Sequence, residues 1–175
     1  MRISALASIL LGASLAAFAQ AKPDRNNDMS DCPMHAQHQA QSSHDHALKQ
    51  RGDTGMGFNQ DKTTHHFLIA EDGGAIQVTA NNAKDKDSIA EIRMHLQHIA
   101  SAFQQGDFDI PMFVHDQTPP GVPTLTRLKG EISYKYETIE NGGQVAISSA
   151  NPEALAAIRE FLRFQIEEHK TGDPK

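Results

Sequence analysis

Nine of the ten histidines in this 175-residue chain fall between His35 and His115, and four of its six methionines (Met34, Met56, Met94 and Met112) lie in or beside that stretch. The only cysteine, Cys32, sits at its edge. Imidazole, thioether and thiolate are the donors that soft and borderline transition metals select, copper above all. These residue types point to metal chemistry.

The donors fall into three sets. The first runs from Cys32-Pro33-Met34-His35 through His38, His44 and His46, with Met29 ahead of it and Asp45 inside it. The second is Thr64-His65-His66-Phe67 together with Met94-His95-Leu96-Gln97-His98. Two imidazoles one helical turn apart can share a metal if further ligands come from elsewhere. The third is Met112 and His115, where Asp116 is placed to orient a histidine. Each set also has a plain structural reading: a solvated linker, half-buried helix histidines, and a packed loop.

The elements that must position these residues follow from the hydrophobic pattern. Residues 22–62 are polar and poor in aliphatics, which predicts a disordered arm, because ordering it would bury too little apolar surface. The domain begins near Thr63, with Met56-Gly57-Phe58 placed to pack on it. Thr63 to Glu71 reads as a strand, Asp72-Gly73-Gly74 as a turn and Ala75 to Ala80 as the return strand. Asp87 or Ser88 is placed to cap a helix ending near Gln105, with Ile89, Ile92, Leu96, Ile99 and Phe103 as its apolar stripe. The prolines between Gly106 and Pro123 predict a loop. Glu131 to Ile139 and Gln144 to Ser149 read as two more strands joined at Asn141-Gly142-Gly143. A last helix capped by Asn151 runs to about His169. The expected fold is α+β: a four-stranded antiparallel sheet with two helices on one face, spanning residues 63–173.

The order strand–strand–helix occurs twice, and the halves can be laid on each other. His95 then falls on Phe161, His98 on Phe164, and His65 and His66 on Tyr134 and Lys135. Where the second half has packing residues, the first has imidazoles. On a helical wheel His95 lies about 60° from the centre of the stripe, with Glu91, His98 and Met94 further round the same side. Alternation puts His65 on the face shared by Phe67 and Ile69, and His66 on the other.

Residues 1–21 have the pattern of a secretory signal. Arg2 precedes a short apolar run, and small residues stand at Ala17-Phe18-Ala19 or Ala19-Gln20-Ala21 for cleavage. The expected location is the periplasm or the cell exterior, with no membrane association after cleavage. The net charge is −6, and loss of Arg2 makes it one unit more negative. That argues against nucleic acid or an anionic membrane as partner and suits a protein that attracts cations. H-E-x-x-H, C-x-x-C-H, G-x-S-x-G and glycine-rich phosphate loops are absent from the sequence.

The Cys32-Pro33-Met34-His35 run resembles the short heavy-metal-binding motif of exported copper-efflux proteins and of some copper-transporting ATPases. Ser30-Asp31 and Ala36 stand where that motif has an aromatic and a proline. The domain is similar, over most of residues 55–173, to a group of small exported bacterial proteins of poorly characterised function. The shared runs are Lys62-Thr63-Thr64-His65-His66-Phe67, His95-Leu96-Gln97-His98-Ile99, His115-Asp116, Pro119-Pro120-Gly121-Val122-Pro123 and Phe161-Leu162-Arg163-Phe164-Gln165-Ile166. Some of that group are labelled aspartate carbamoyltransferase. This chain is shorter than such a catalytic subunit and has Thr124-Leu125-Thr126-Arg127 in place of an arginine-rich phosphate-binding motif. The resemblance therefore implies the domain boundary, not that activity.

The sequence reads as an exported copper-binding protein for metal sequestration, delivery or resistance. It would take Cu(I) or Cu(II), with zinc as the other metal these donors suit. Its partners would be the metal ion and an exported protein that donates or accepts copper. Two other classes stay open. One is a periplasmic metalloenzyme, redox or hydrolytic, using His115-Asp116 or Glu91 beside an open coordination position. The other is a metal-free binding module.

Overall fold

A computed structural model describes residues 33–175, with side chains from Gln37 onward except that of His38. The expected signal, residues 1–21, and Cys32 lie outside the described residues, as do the side chains of Met34, His35 and His38. Helix α1 spans Pro33–Met56, followed by strands β1 (Thr63–Ala70) and β2 (Gly73–Ala80). Helices α2 (Lys86–Gln104), α3 (Asp109–His115) and α4 (Val122–Arg127) come next. Strands β3 (Ile132–Ile139) and β4 (Gly142–Ser149) and helix α5 (Pro152–His169) complete the chain. The fold is α+β, as the hydrophobic pattern predicts.

The sheet is antiparallel in the order β1-β2-β4-β3. That order is symmetric about the β2–β4 pair, as two related strand–strand–helix halves would require. The register lines up Phe67, Ile76, Val145 and Tyr136 across the sheet's inner face. Helix α2 packs on β3 and β4, and α5 on β1 and β2. Helix α2 buries the expected stripe Ile89, Ile92, Leu96, Ile99 and Phe103, and α5 buries Ile158, Leu162, Gln165 and Ile166, with Leu155 only partly buried. Asn151 caps α5 through the Glu153 and Ala154 N–H groups, with Pro152 at the first helical position.

Three expectations are corrected. The α2 cap is Asp85, which accepts from the Ser88 N–H and hydroxyl; Ser88 itself is buried inside the first turn. The segment 106–123 is not a continuous loop. Pro111 stands at the third position of α3 and Pro123 at the second of α4, where backbone N–H groups have no intrahelical partner to lose. The prolines open short helices there.

The arm is not disordered through residue 62. Residues 33–56 form α1, whose composition alone would not hold a helix. Tertiary contacts hold it. Leu48 is buried, and Arg51 Nε donates to the Val114 carbonyl at 2.8 Å, satisfying a carbonyl of the last turn of α3. Gly52 packs so closely that a Cβ would fall 2.2 Å from Gln60 Nε2. Phe58, just past α1, joins the core as expected of the Met56-Gly57-Phe58 segment.

Candidate metal centre

Four imidazoles from four elements meet at one cavity. His65 comes from the inner face of β1, His95 from the sheet-facing side of α2, His115 from the last residue of α3, and His169 from the last residue of α5. The cavity measures about 60 Å³, and Met56, Phe67, Phe161 and Gln165 also line it. The rings form a chain. Phe58 stacks on His65 at 5.8 Å and meets His95 edge-on at 5.4 Å. His169 lies parallel to His65 at 5.9 Å and edge-on to His115 at 5.2 Å. His115 is also edge-on to Phe164 at 4.8 Å.

Burial decides the charge of these rings. It holds His65 at about 4, helped by the neighbouring His95 and His66. It holds His95 at about 4, helped by His98, and His169 at about 3, helped by His65 and His115. It also lowers His115, against the upward pull of Gln165 and Glu168. All are neutral at pH 7, so each ring keeps one nitrogen lone pair for a ligand. His115 Nε2 stands 3.0 Å from Gln165 Oε1, a hydrogen bond in the tautomer that carries the proton on Nε2. Its Nδ1 has no hydrogen-bond partner although the side chain is 1% exposed; the Gln165 amide nitrogen is likewise buried and unpartnered.

Spacing bears on whether a metal fits. Two imidazoles on one tetrahedral metal, at about 2 Å from nitrogen to metal, have ring centres about 5 Å apart. The 5.2 Å between His115 and His169 matches that spacing, and the 5.9 Å between His65 and His169 exceeds it by under 1 Å. Direction does not yet match. Among the described residues no group of three or more His, Cys, Asp or Glu side chains is set to hold a metal ion in this arrangement. Coordination therefore requires the rings to turn about their side-chain torsions.

The structure brings together His65, His95 and His115 of the expected set and separates the others. Met94 is 69% exposed and His98 is also in solvent, on the side of α2 away from the cavity. Residues three apart on a helix are neighbours, but here the edge of the stripe passes between His95 and His98. His66 points to the outer face of β1, where its Nδ1–H donates to Asp173 Oδ1 at 2.8 Å. Met112 is exposed on α3, and His46 is exposed on α1. His44 lies apart from the cavity and donates to Glu168 Oε2 at 2.9 Å.

His169 and Met56 were missed. The signal for His169 was present: it continues the stripe Ile158, Leu162, Gln165 by one more turn. The superposition that lays His95 on Phe161 lays His169 on Phe103, so the exchange of ring types runs both ways between the halves. Comparison with family models, with curated proteins and with solved structures finds no match to this chain. Among the described residues no helix is long and apolar enough to cross a membrane.

Proposed function

We propose that this is an exported copper-binding protein for metal sequestration, delivery or resistance, and that His65, His95 and His169 hold the copper, with Met56 beside them. The observation that carries this reading is a small apolar cavity ringed by neutral imidazoles from separate elements. The other lining side chains are nearly all apolar, and no carboxylate is among them. A dication is costly to bury without anionic ligands, whereas Cu(I), with one charge, is suited to imidazole and thioether donors. The Cys32-Pro33-Met34-His35 run, with His38 and His46, serves on this reading as the capturing segment.

The test is Cu(I) titration of the reduced full chain against a chromophoric chelator under anaerobic conditions. Changing His65, His95 or His169 to Phe should each weaken the domain's copper binding at least about tenfold. His98→Phe should leave it unchanged. Equal losses in all four variants, or no competition by the wild-type chain at micromolar copper, would sink the proposal. The competing reading is a metal-free core. It draws on the contacts these rings make with Phe58, Phe67 and Phe164.

A further inference from the structure

Two hollows of the fold meet at one residue. The cavity of about 60 Å³ lies between the layers, and a cleft of about 210 Å³ runs between α1 and the end of α5. Asp45, Leu48 and Lys49 form the α1 wall of the cleft, with Glu168 and Lys170 on the α5 side. Among the described residues His169 is the one that lines both hollows. Its two neighbours are held from outside. Glu168 Oε2 accepts from His44 Nε2–H at 2.9 Å, and the Lys170 ammonium donates to Asp45 Oδ2. Residues 168 and 170 are thus tied to two consecutive residues of α1, and the residue between them carries the ring that parts cleft from cavity. The paired side chains are all partly exposed, and such pairs contribute little to stability, so they part and re-form readily.

The end of α5 is suited to local opening. His169 is its last residue, and Lys170 turns the chain in the left-handed region at φ 51°, which side chains other than glycine seldom adopt. The N–H groups of Lys170 and Thr171 reach the Glu167 and Ile166 carbonyls at 3.4 and 3.3 Å, long for hydrogen bonds. The His169 ring packs on other rings, 5.4 Å from Phe67, 5.9 Å from His65 and 5.2 Å from His115. None of these contacts is a hydrogen bond, so turning the ring costs packing alone. Beyond the turn, Asp173 anchors the tail to β1 through the Phe67 N–H and His66 Nδ1–H, which confines any opening to the last turn of α5 and the residues just after it.

We propose that the cleft between α1 and the end of α5 is the entrance to the cavity, that the His169 ring is its door, and that the His44–Glu168 and Asp45–Lys170 pairs are the latch. The proposal rests on the reading that the cavity takes Cu(I), and it names the route of that ion. When the latch parts, the last turn of α5 frays and the His169 ring swings toward the cleft, where it meets the ion before turning back to His65. Fraying of a helix end and rotation of a ring are among the easiest openings of a fold. Helix α1 adds little apolar hold against this, since Leu48 is its one buried large apolar side chain among the described residues.

The test variant is the full chain with His44→Ala and Asp45→Asn, which unties both pairs from the α1 side and alters no residue of the cavity. The first readout needs no copper. Exchange of each imidazole C2–H for deuterium, followed residue by residue by mass spectrometry, reports how often water reaches that ring. In the variant His169 should exchange at least about threefold faster, while amide exchange across β2 and β4 stays as in the parent. Lys135→Ala, which removes an ion pair on β3, should change neither. Unchanged exchange at His169, or a rise matched by the amides of β2 and β4, would overturn the proposal. The second readout is Cu(I) transfer from a chromophoric chelator by anaerobic stopped flow. Uptake and release should both quicken about threefold or more, with the affinity within about twofold of the parent. Unchanged rates, or affinity lost in proportion to a faster release, would also overturn it. A parent chain that binds no copper counts against the copper reading alone, and deuterium exchange then decides whether the door exists.

Discussion

Acidifying the metal-free protein from pH 7 to pH 5 should destabilise it steeply. Unfolded histidines take up a proton near pH 6.5, whereas burial holds His65 and His95 at about 4 and His169 at about 3 in the fold. The folded values are depressed, so between pH 6.5 and 4 the unfolded chain binds more protons than the native one. Stability is fully present above pH 6.5 and falls with pH through that window. At pH 5 each ring costs about 2 kcal/mol by linkage, or about 6 kcal/mol for the three. The rings are only partly screened from solvent, so about half of that is a fair lower figure. A loss of about 3–6 kcal/mol rivals the whole stability of an ordinary domain.

The assay is urea unfolding followed by far-ultraviolet circular dichroism at several pH values between 7 and 5, since the chain has no tryptophan. Asp45, Asp85, Asp173 and Glu137 all have lowered values, so none of them contributes in that range. His169→Phe should reduce the slope by about one proton, or roughly 1.4 kcal/mol per pH unit. A midpoint that stays level or rises between pH 7 and 5 would refute the reasoning, and with it the claim that these rings are buried and neutral.

Other outcomes follow from single contacts. Asp173 bonds His66 through one oxygen, and the Phe67 N–H and Thr171 hydroxyl through the other. Asp173→Ala should cost about 1–3 kcal/mol and expose the Phe67 amide on the free edge of β1 to exchange; a melting temperature equal to wild type would contradict this. Gly121 has φ 83°, and a Cβ there would lie 2.3 Å from the Ala157 carbonyl. Gly121→Ala should therefore cost more than the roughly 1–2 kcal/mol of the left-handed conformation alone, seen as a lower urea midpoint. Asn151→Ala should cost about 1 kcal/mol by uncapping α5, also read by urea unfolding.

The four strands and helices α2 and α5 were legible in the chain because their signals are local. Alternation along β1 and the period of Ile89, Ile92, Leu96, Ile99 and Phe103 each imply a buried face without reference to a partner. Local signal failed where a neighbour decides the conformation. Helix α1 has almost no apolar stripe and forms because Arg51, Leu48 and Gly52 meet α3 and the segment after α1. Helices α3 and α4 hide behind prolines that read as breakers in sequence and sit in first turns in the fold.

The candidate site divides in the same way. The contrast between the halves marks His65, His66, His95 and His98 alike, and donor type alone adds His115, so the chain by itself names the candidates without separating those that converge from those that do not. Which imidazoles share a cavity is a matter of distance between elements far apart in sequence. Only the packing of α5 over β1 brings His169 to within 5.9 Å of His65, and only the edge of the α2 stripe turns His95 inward and leaves His98 and Met94 in water. Side-chain chemistry is written residue by residue. Convergence of those side chains, and the burial that keeps them neutral, exist only once the layers have packed.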